Sequence, residues 1–292
     1  MLKIAVVANC QARPIAFLFE NALDGVEVVT VAIVHLLKDE QACEYESYFK
    51  NADFIVTQKI ADNYPCQFIR TSELRKQYSQ KIIEIPNLFY SGYNPELRYY
   101  RIPGKGTLNG PLGDYHNELL FEAWSQGRSV ADTKDIASDE GIWVEKYSHI
   151  PEQSLLELSK REFELDVEIT DFLSLNISKE RLFYTFNHPS LKVLAELVKR
   201  IAVLISRRLK ASFNIKAVDE PLNQFYIPIN PHAASIIGFD LNKNTVSNCR
   251  GLKKNEQGKY TIRGFYSTTE LIEEFFISYD ENKDLISANI LQ

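Results

Sequence analysis

The opening of the chain limits its possible folds more than any other feature. Residues 2–8 read "LKIAVVA" and are followed at once by the polar turn Asn9-Cys10-Gln11. A nearly unbroken apolar run of that length reads as a strand buried on both faces, as in a parallel sheet covered by helices. A helix is expected to follow over about 12–23, with Pro14 near its first turn, where proline is tolerated. The pattern then repeats, with strands at "VEVVTVAI" (26–33), "ADFIVTQ" (52–58) and "KIIEIPNL" (81–88) and a polar helical stretch over about 38–50. Strands alternating with helices predict a three-layer α/β fold built on a doubly wound parallel sheet. Such sheets hold their sites outside the carboxyl ends of the strands. Three turns should therefore converge there: Asn9-Cys10-Gln11, Thr57-Gln58 and Pro86-Asn87.

The remainder is read as additions to one domain spanning 1–292, with a core over about 1–212. Residues 89–114 form a long loop rich in Gly, Pro and Tyr, and its aromatics argue against disorder. A helix should begin near Tyr115-His116. An acid-rich helical insertion is expected over about 135–178. "RLFYTFNHPS" (181–190) should return to the sheet as a strand, a turn at Asn187-His188 and a helix over about 190–211. That helix carries Leu191, Leu194, Leu197, Val198, Ile201, Ile205 and Leu209 near a 3.6-residue period, with Lys199, Arg200, Arg207, Arg208 and Lys210 on its polar face. A C-terminal α+β extension over about 213–292 completes the chain, with a helix near 268–278.

Net charge is −6, so nothing global points to nucleic acid. No apolar run is long enough for a membrane span, and the N-terminus lacks the layout of a signal peptide. The four cysteines, Cys10, Cys43, Cys66 and Cys249, form no CxxC pair and no zinc-like spacing. They read as reduced thiols of a cytoplasmic protein without a metal.

Cys10 ends a buried strand and opens a helix, where free N–H groups and the helix dipole lower a thiol pKa. The same N–H groups can line an oxyanion hole. The plainer alternative is a small buried hydrophobe. His188 occupies the same kind of turn and is suited to act as general base; alternatively, the segment is a helix start capped by Asn187 or Ser190. Together Cys10 and His188 make a nucleophile–base pairing for acyl chemistry. Gln11, Gln58 and Asn187 are candidates for an oxyanion or substrate amide, or else satisfy loop backbone. Tyr115 and His116 read either as a polar pair facing the cleft or as a helix start capped by Asp114. Arg13, Arg98, Arg101 and Lys105, with Tyr93, Tyr99 and Tyr100 nearby, suit phosphates and a stacked ring, or are solvated charges. Cys43, Cys66 and Cys249 are read as structural.

The blocks "IAVVANCQARPIA", "ADFIVTQ", "IPNLFYSGYNPEL", "GPLGDYHNELL" and "FYTFNHPSLKVL", in this order across roughly residues 1–240, resemble the WcbI-type polysaccharide-biosynthesis family. The N-terminal block is more loosely similar to SGNH/GDSL esterases, with Cys10 at the place of their serine; this resemblance implies an SGNH/flavodoxin-like core. The WcbI resemblance implies that coenzyme A or acetyl-CoA is bound, that an acyl group passes to a sugar or nucleotide-sugar, and that polysaccharide-assembly enzymes are possible partners. It places Cys10 and Gln11 at the family's Cys-Gln pair, His188 at its His, and Tyr115-His116 at its Tyr-His pair. Thr185 stands where SGNH enzymes carry the triad Asp, so a Cys–His dyad is expected. The other functions expected for such a chain are a carbohydrate esterase and a non-catalytic module holding coenzyme A or a glycan.

Overall fold

A computed structural model describes residues 1–206, 219–243 and 248–290. Strand β1 (Leu2–Ala8) is followed by helix α1 (Ala12–Ala22), β2 (Val26–Ile33), α2 (Ala42–Asn51), β3 (Phe54–Gln58), α3 (Thr71–Tyr78) and β4 (Ile82–Ile85). The four strands form one parallel sheet in the order β2-β1-β3-β4. This is the doubly wound α/β arrangement expected from the strand–helix alternation. The order reverses direction between β1 and β3, which makes the carboxyl end of β1 the topological switch point.

Burial follows the sequence pattern. Ile4, Ala5, Val6 and Val7 are wholly inaccessible, as is Ile55 beside them on β3. On one face, Phe49 of α2 and Leu74 and Tyr78 of α3 pack with Ile55, Ile69 and Ala32. On the other, α1 buries Ile15, Leu18 and Phe19 and packs against the helix Leu191–Ser206. That helix buries Leu194, Leu197, Val198, Ile201 and Ile205, the apolar stripe read from its period. Two cations of its polar face are paired locally: Lys199 with Glu196, and Arg200 with Glu196 and Asp171. Arg207, Arg208, Leu209 and Lys210 lie outside the described residues.

The chain folds as two compact units interleaved in sequence. The first comprises Met1–Phe89, Leu155–Asn176 and Asn187–Leu222 and contains the parallel sheet. The second comprises Tyr90–Ser154, Ile177–Phe186 and Asn223–Gln292. In the second unit, an antiparallel hairpin (Cys249–Lys254 with Tyr260–Tyr266) accompanies the helix Thr268–Glu281. That helix packs on Glu118–Ser125 and Val130–Ser138. The expected helical insertion is present as Val130–Ser138, Glu140–Tyr147, Ile150–Glu162 and Thr170–Asn176.

Two local expectations are corrected. Phe183–Thr185 is a strand, but it stands outside the four-stranded sheet. The helix expected at Tyr115-His116 begins later. His116 and Asn117 pair with Leu97 and Arg98 as a short antiparallel ladder, and Asn117 caps the helix Glu118–Ser125 by accepting from the N–H groups of Leu119 and Leu120.

Phe19 is fully buried under the sheet. Phe19→Ala should cost about 3–5 kcal/mol, read as a lowered urea midpoint with an unchanged m-value.

Candidate active site

The turn after β1 is held by side chains from three strand ends of the first unit. Gln11 is fully buried, and both of its amide hydrogens are used, one on the Leu88 carbonyl at 2.8 Å and one on the Asn187 carbonyl at 2.9 Å. Its amide oxygen accepts from Gln58 Nε2 at 2.8 Å. The Gln58 oxygen in turn accepts the Asn9 N–H at 2.9 Å. Asn9 closes the loop: its Oδ1 accepts the Gln11 N–H at 2.9 Å, and its Nδ2 donates to Asn87 Oδ1 at 3.0 Å. The three turns expected to converge do so, through the buried amides of Gln11 and Gln58 and the more exposed pair Asn9 and Asn87.

This geometry reassigns two candidates. The Gln11 amide has no hydrogen left for an oxyanion, and the Gln58 amide faces Gln11. Both side chains hold the turn, the backbone-satisfying alternative weighed for them. Asn187 joins the network through its carbonyl. Asn9 and Asn87 are the members not singled out from sequence. Their place in two of the converging turns was the available signal, but an Asn in a turn is too common to mark by itself.

Cys10 is half-buried, and its thiol lies 3.8 Å from Asn9 Oδ1. Burial pushes its pKa up to about 11, outweighing any lowering from the helix start. The thiol is therefore neutral at pH 7, not the activated thiolate expected from position. His188 is half-buried on the short strand His188–Pro189. Burial pulls its pKa down to about 4, so its imidazole is neutral and able to accept a proton. Cys10 and His188 are each one peptide from an end of the same Gln11–Asn187 hydrogen bond.

Beside Cys10 runs an open groove of about 550 Å³, lined by Arg13, Pro14, Phe17, Pro221 and Leu222. Pro221 and Leu222 had no sequence signal, because they come from the far end of the unit. Glu220 explains their position: its carboxylate accepts the Leu191 N–H at 2.7 Å and so ties this segment to the helix that follows His188.

The remaining candidates lie in the second unit. His116 is fully buried, with Nδ1 3.1 Å from the Tyr279 hydroxyl and Nε2 2.9 Å from the Leu108 carbonyl. Burial holds its pKa down at about 4. Tyr115 packs on Phe186 and Phe225. Tyr99 packs on Phe186, and Tyr100 on Phe121. Tyr93 is buried, its hydroxyl 2.7 Å from the Ile177 carbonyl. Arg98 grips Glu118 through two nitrogens at 3.2 and 3.0 Å. These rings and this guanidinium are occupied within the protein. Arg101 and Lys105 are exposed around the hairpin Arg101–Ile102 and Gly106–Thr107. Among the described residues, no group of acidic, His or Cys side chains is placed to hold a metal, and no helix is long and apolar enough to cross a membrane.

A parallel sheet with helices on both faces and its switch point at the carboxyl end of β1 defines an α/β protein of the doubly wound class. The model of the family described as polysaccharide biosynthesis enzyme WcbI matches residues 3–208. The chain belongs to that family of polysaccharide biosynthesis enzymes. A solved structure of WcbI is similar to it at a TM-score of 0.71 and 18% identity, covering 99% of this chain and 93% of the other. That structure is described as the native protein without a disulfide bond between coenzyme A and one of its cysteines. No curated protein matches the chain by sequence.

Gln11→Leu should destabilise the fold by about 2–5 kcal/mol, because it strands buried partners at Leu88, Asn187 and Gln58; chemical denaturation measures it. Neutral, buried His116 adds an acid dependence. Its folded pKa lies below that of the unfolded chain, so its contribution is intact above about pH 6.5 and falls away as pH drops towards 4. The loss should approach about 3 kcal/mol, and His116→Phe should flatten that part of the stability–pH curve.

Proposed function

We propose that this protein is an acyl-CoA-dependent O-acyltransferase that moves an acyl group, acetyl in the simplest case, onto a sugar or nucleotide-sugar hydroxyl. The observation that carries this reading is the groove at Cys10. Its apolar lining of Pro14, Phe17, Pro221 and Leu222 matches a pantetheine arm, with Arg13 available for a phosphate and the Cys10 thiol alongside the groove. The described relative, in which coenzyme A and a cysteine are named together, supports a thioester sulfur lying beside Cys10. The family description supports a carbohydrate acceptor.

The protonation states favour direct transfer over a Cys10 acyl-enzyme. A thiol with a pKa of about 11 is a poor nucleophile at neutral pH, whereas His188 at about 4 is already the neutral base. In this mechanism His188 takes the proton of the acceptor hydroxyl as its oxygen attacks the thioester carbonyl carbon. The resulting oxyanion is received at the turn by the Cys10 backbone N–H, since those of Asn9, Gln11 and Ala12 already have acceptors. The carbon–sulfur bond then breaks, and His188 returns its proton to the leaving thiolate of coenzyme A. Gln11 and Gln58 act as positioning residues, and Cys10 shapes the sulfur's surroundings.

Isothermal titration should give micromolar binding of coenzyme A to the wild type; absence of binding at millimolar ligand would overturn the reading. His188→Ala should lower kcat by about 10²–10⁴-fold, while Cys10→Ser stays within about tenfold. The two routes also differ in pH dependence. Direct transfer predicts a rate nearly level from pH 6 to 8 and falling below about 5. A thiolate nucleophile would rise about tenfold per pH unit across the same range.

A further inference from the structure

A second recess of about 770 Å³ lies in the first unit beyond the carboxyl ends of β3 and β4. Lys59, Asp62, Arg75, Glu84, Asn87 and Arg161 supply its polar wall. It shares no lining residue with the groove at Cys10. The two are nonetheless linked: Asn87 lines the recess and accepts from Asn9 Nδ2 at 3.0 Å, and Asn9 Oδ1 lies 3.8 Å from the Cys10 sulfur. A group held against Asn87 is thereby one side chain from the catalytic turn.

The charges are arranged for hydroxyl groups rather than for phosphate. Lys59 pairs with Glu164 at 3.0 Å, Arg75 with the buried Glu84, and Lys160 with Glu157 at 3.2 Å. Asp62 accepts from the Ser72 hydroxyl at 2.5 Å. Three of its four cations therefore face carboxylates already, the fourth, Arg161, donates Nε to the Glu157 backbone carbonyl at 3.0 Å, and Asp62 and Glu164 would repel a phosphate. A hydroxyl both donates and accepts, so closely spaced carboxylates, ammonium and guanidinium groups match neighbouring hydroxyls of a sugar ring. Ile60, Ala61 and Pro86 add apolar surface for the C–H face of such a ring. Sites of this composition, at the carboxyl edge of a parallel sheet, take small polar ligands.

We infer that this recess is the acceptor site and that it binds a sugar by its ring hydroxyls, presenting one of them past Asn87 to the turn at Cys10. The inference rests on the acyltransferase reading for its role in catalysis, but the binding itself can be tested separately. The probes are glucose, galactose and mannose and their nucleoside-diphosphate forms, followed with the full chain by saturation-transfer NMR. Coenzyme A titrations run in parallel on the same samples. Asp62→Ala and Arg161→Ala change side chains at the wall of the recess, and an unchanged unfolding midpoint identifies intact protein.

At least one sugar should show saturated ring protons, and either substitution should weaken its binding fivefold or more while leaving coenzyme A affinity unchanged. In turnover, the same variants should raise KM for the acceptor more than they lower kcat. Sugar binding that is unaffected by both variants overturns the assignment, as does the absence of any sugar signal from a wild type that still binds coenzyme A. A tenfold loss of coenzyme A affinity in either variant also overturns it and gives the recess to the nucleotide end of the coenzyme. Sugar binding that depends on Asp62 in a protein that fails to bind coenzyme A would retain the sugar site and sink the acyltransferase reading instead.

Discussion

The first unit depends on one buried amide. Gln11 reaches the end of β3 through Gln58, the segment after β4 through the Leu88 carbonyl, and the start of the helix Leu191–Ser206 through the Asn187 carbonyl. These partners lie 47, 77 and 176 residues away in the chain. Parallel strands cannot be joined by tight turns, so their carboxyl ends meet only through such long-range contacts. An amide suits this junction because it offers two donors and an acceptor without a charge to desolvate. The cost is that Gln11 is fully used and has no amide hydrogen left for a ligand.

Burial also sets the protonation states at this rim. The helix start at Ala12 would favour a thiolate, yet the same packing that secures the turn strips water from Cys10 and drives its pKa upward. Desolvation moves His188 the other way, because for an imidazole the protonated form is the charged one. One dry environment thus yields a neutral thiol and a neutral imidazole on two turns joined by the Gln11–Asn187 hydrogen bond. At neutral pH the rim therefore holds both side chains uncharged.

The second unit shows how polar sequence features can be absorbed by structure. Tyr99 and Tyr115 pack on Phe186, Tyr100 on Phe121, His116 on Tyr279, and Tyr93 on Tyr90 and Phe239. Arg98 is held by Glu118. In the sequence these residues look like a ligand-binding loop, since a tyrosine that stacks on a sugar and one that packs on a phenylalanine are the same letter. An aromatic ring and a guanidinium take whichever partner the fold supplies, and here the fold supplies internal ones.

The local pattern of the chain determined the strand–helix alternation, the parallel sheet, the turns at its carboxyl edge and the apolar face of the helix Leu191–Ser206. Each follows from periodicity and from burial on both faces, which are properties of neighbouring residues. Cys10 and His188 were legible as candidates for the same reason: each falls in a polar segment just after an apolar run of the sequence. The tertiary structure alone decided that Gln11 and Gln58 hold the turn, that Cys10 stays protonated, and that His116 is core. It also brought Pro221 and Leu222 to the groove and gathered Lys59, Asp62 and Arg161 around one recess. The physical reason is that hydrogen-bond partners, desolvation and concavity are set by residues tens to hundreds of positions apart. No local pattern encodes which of them meet.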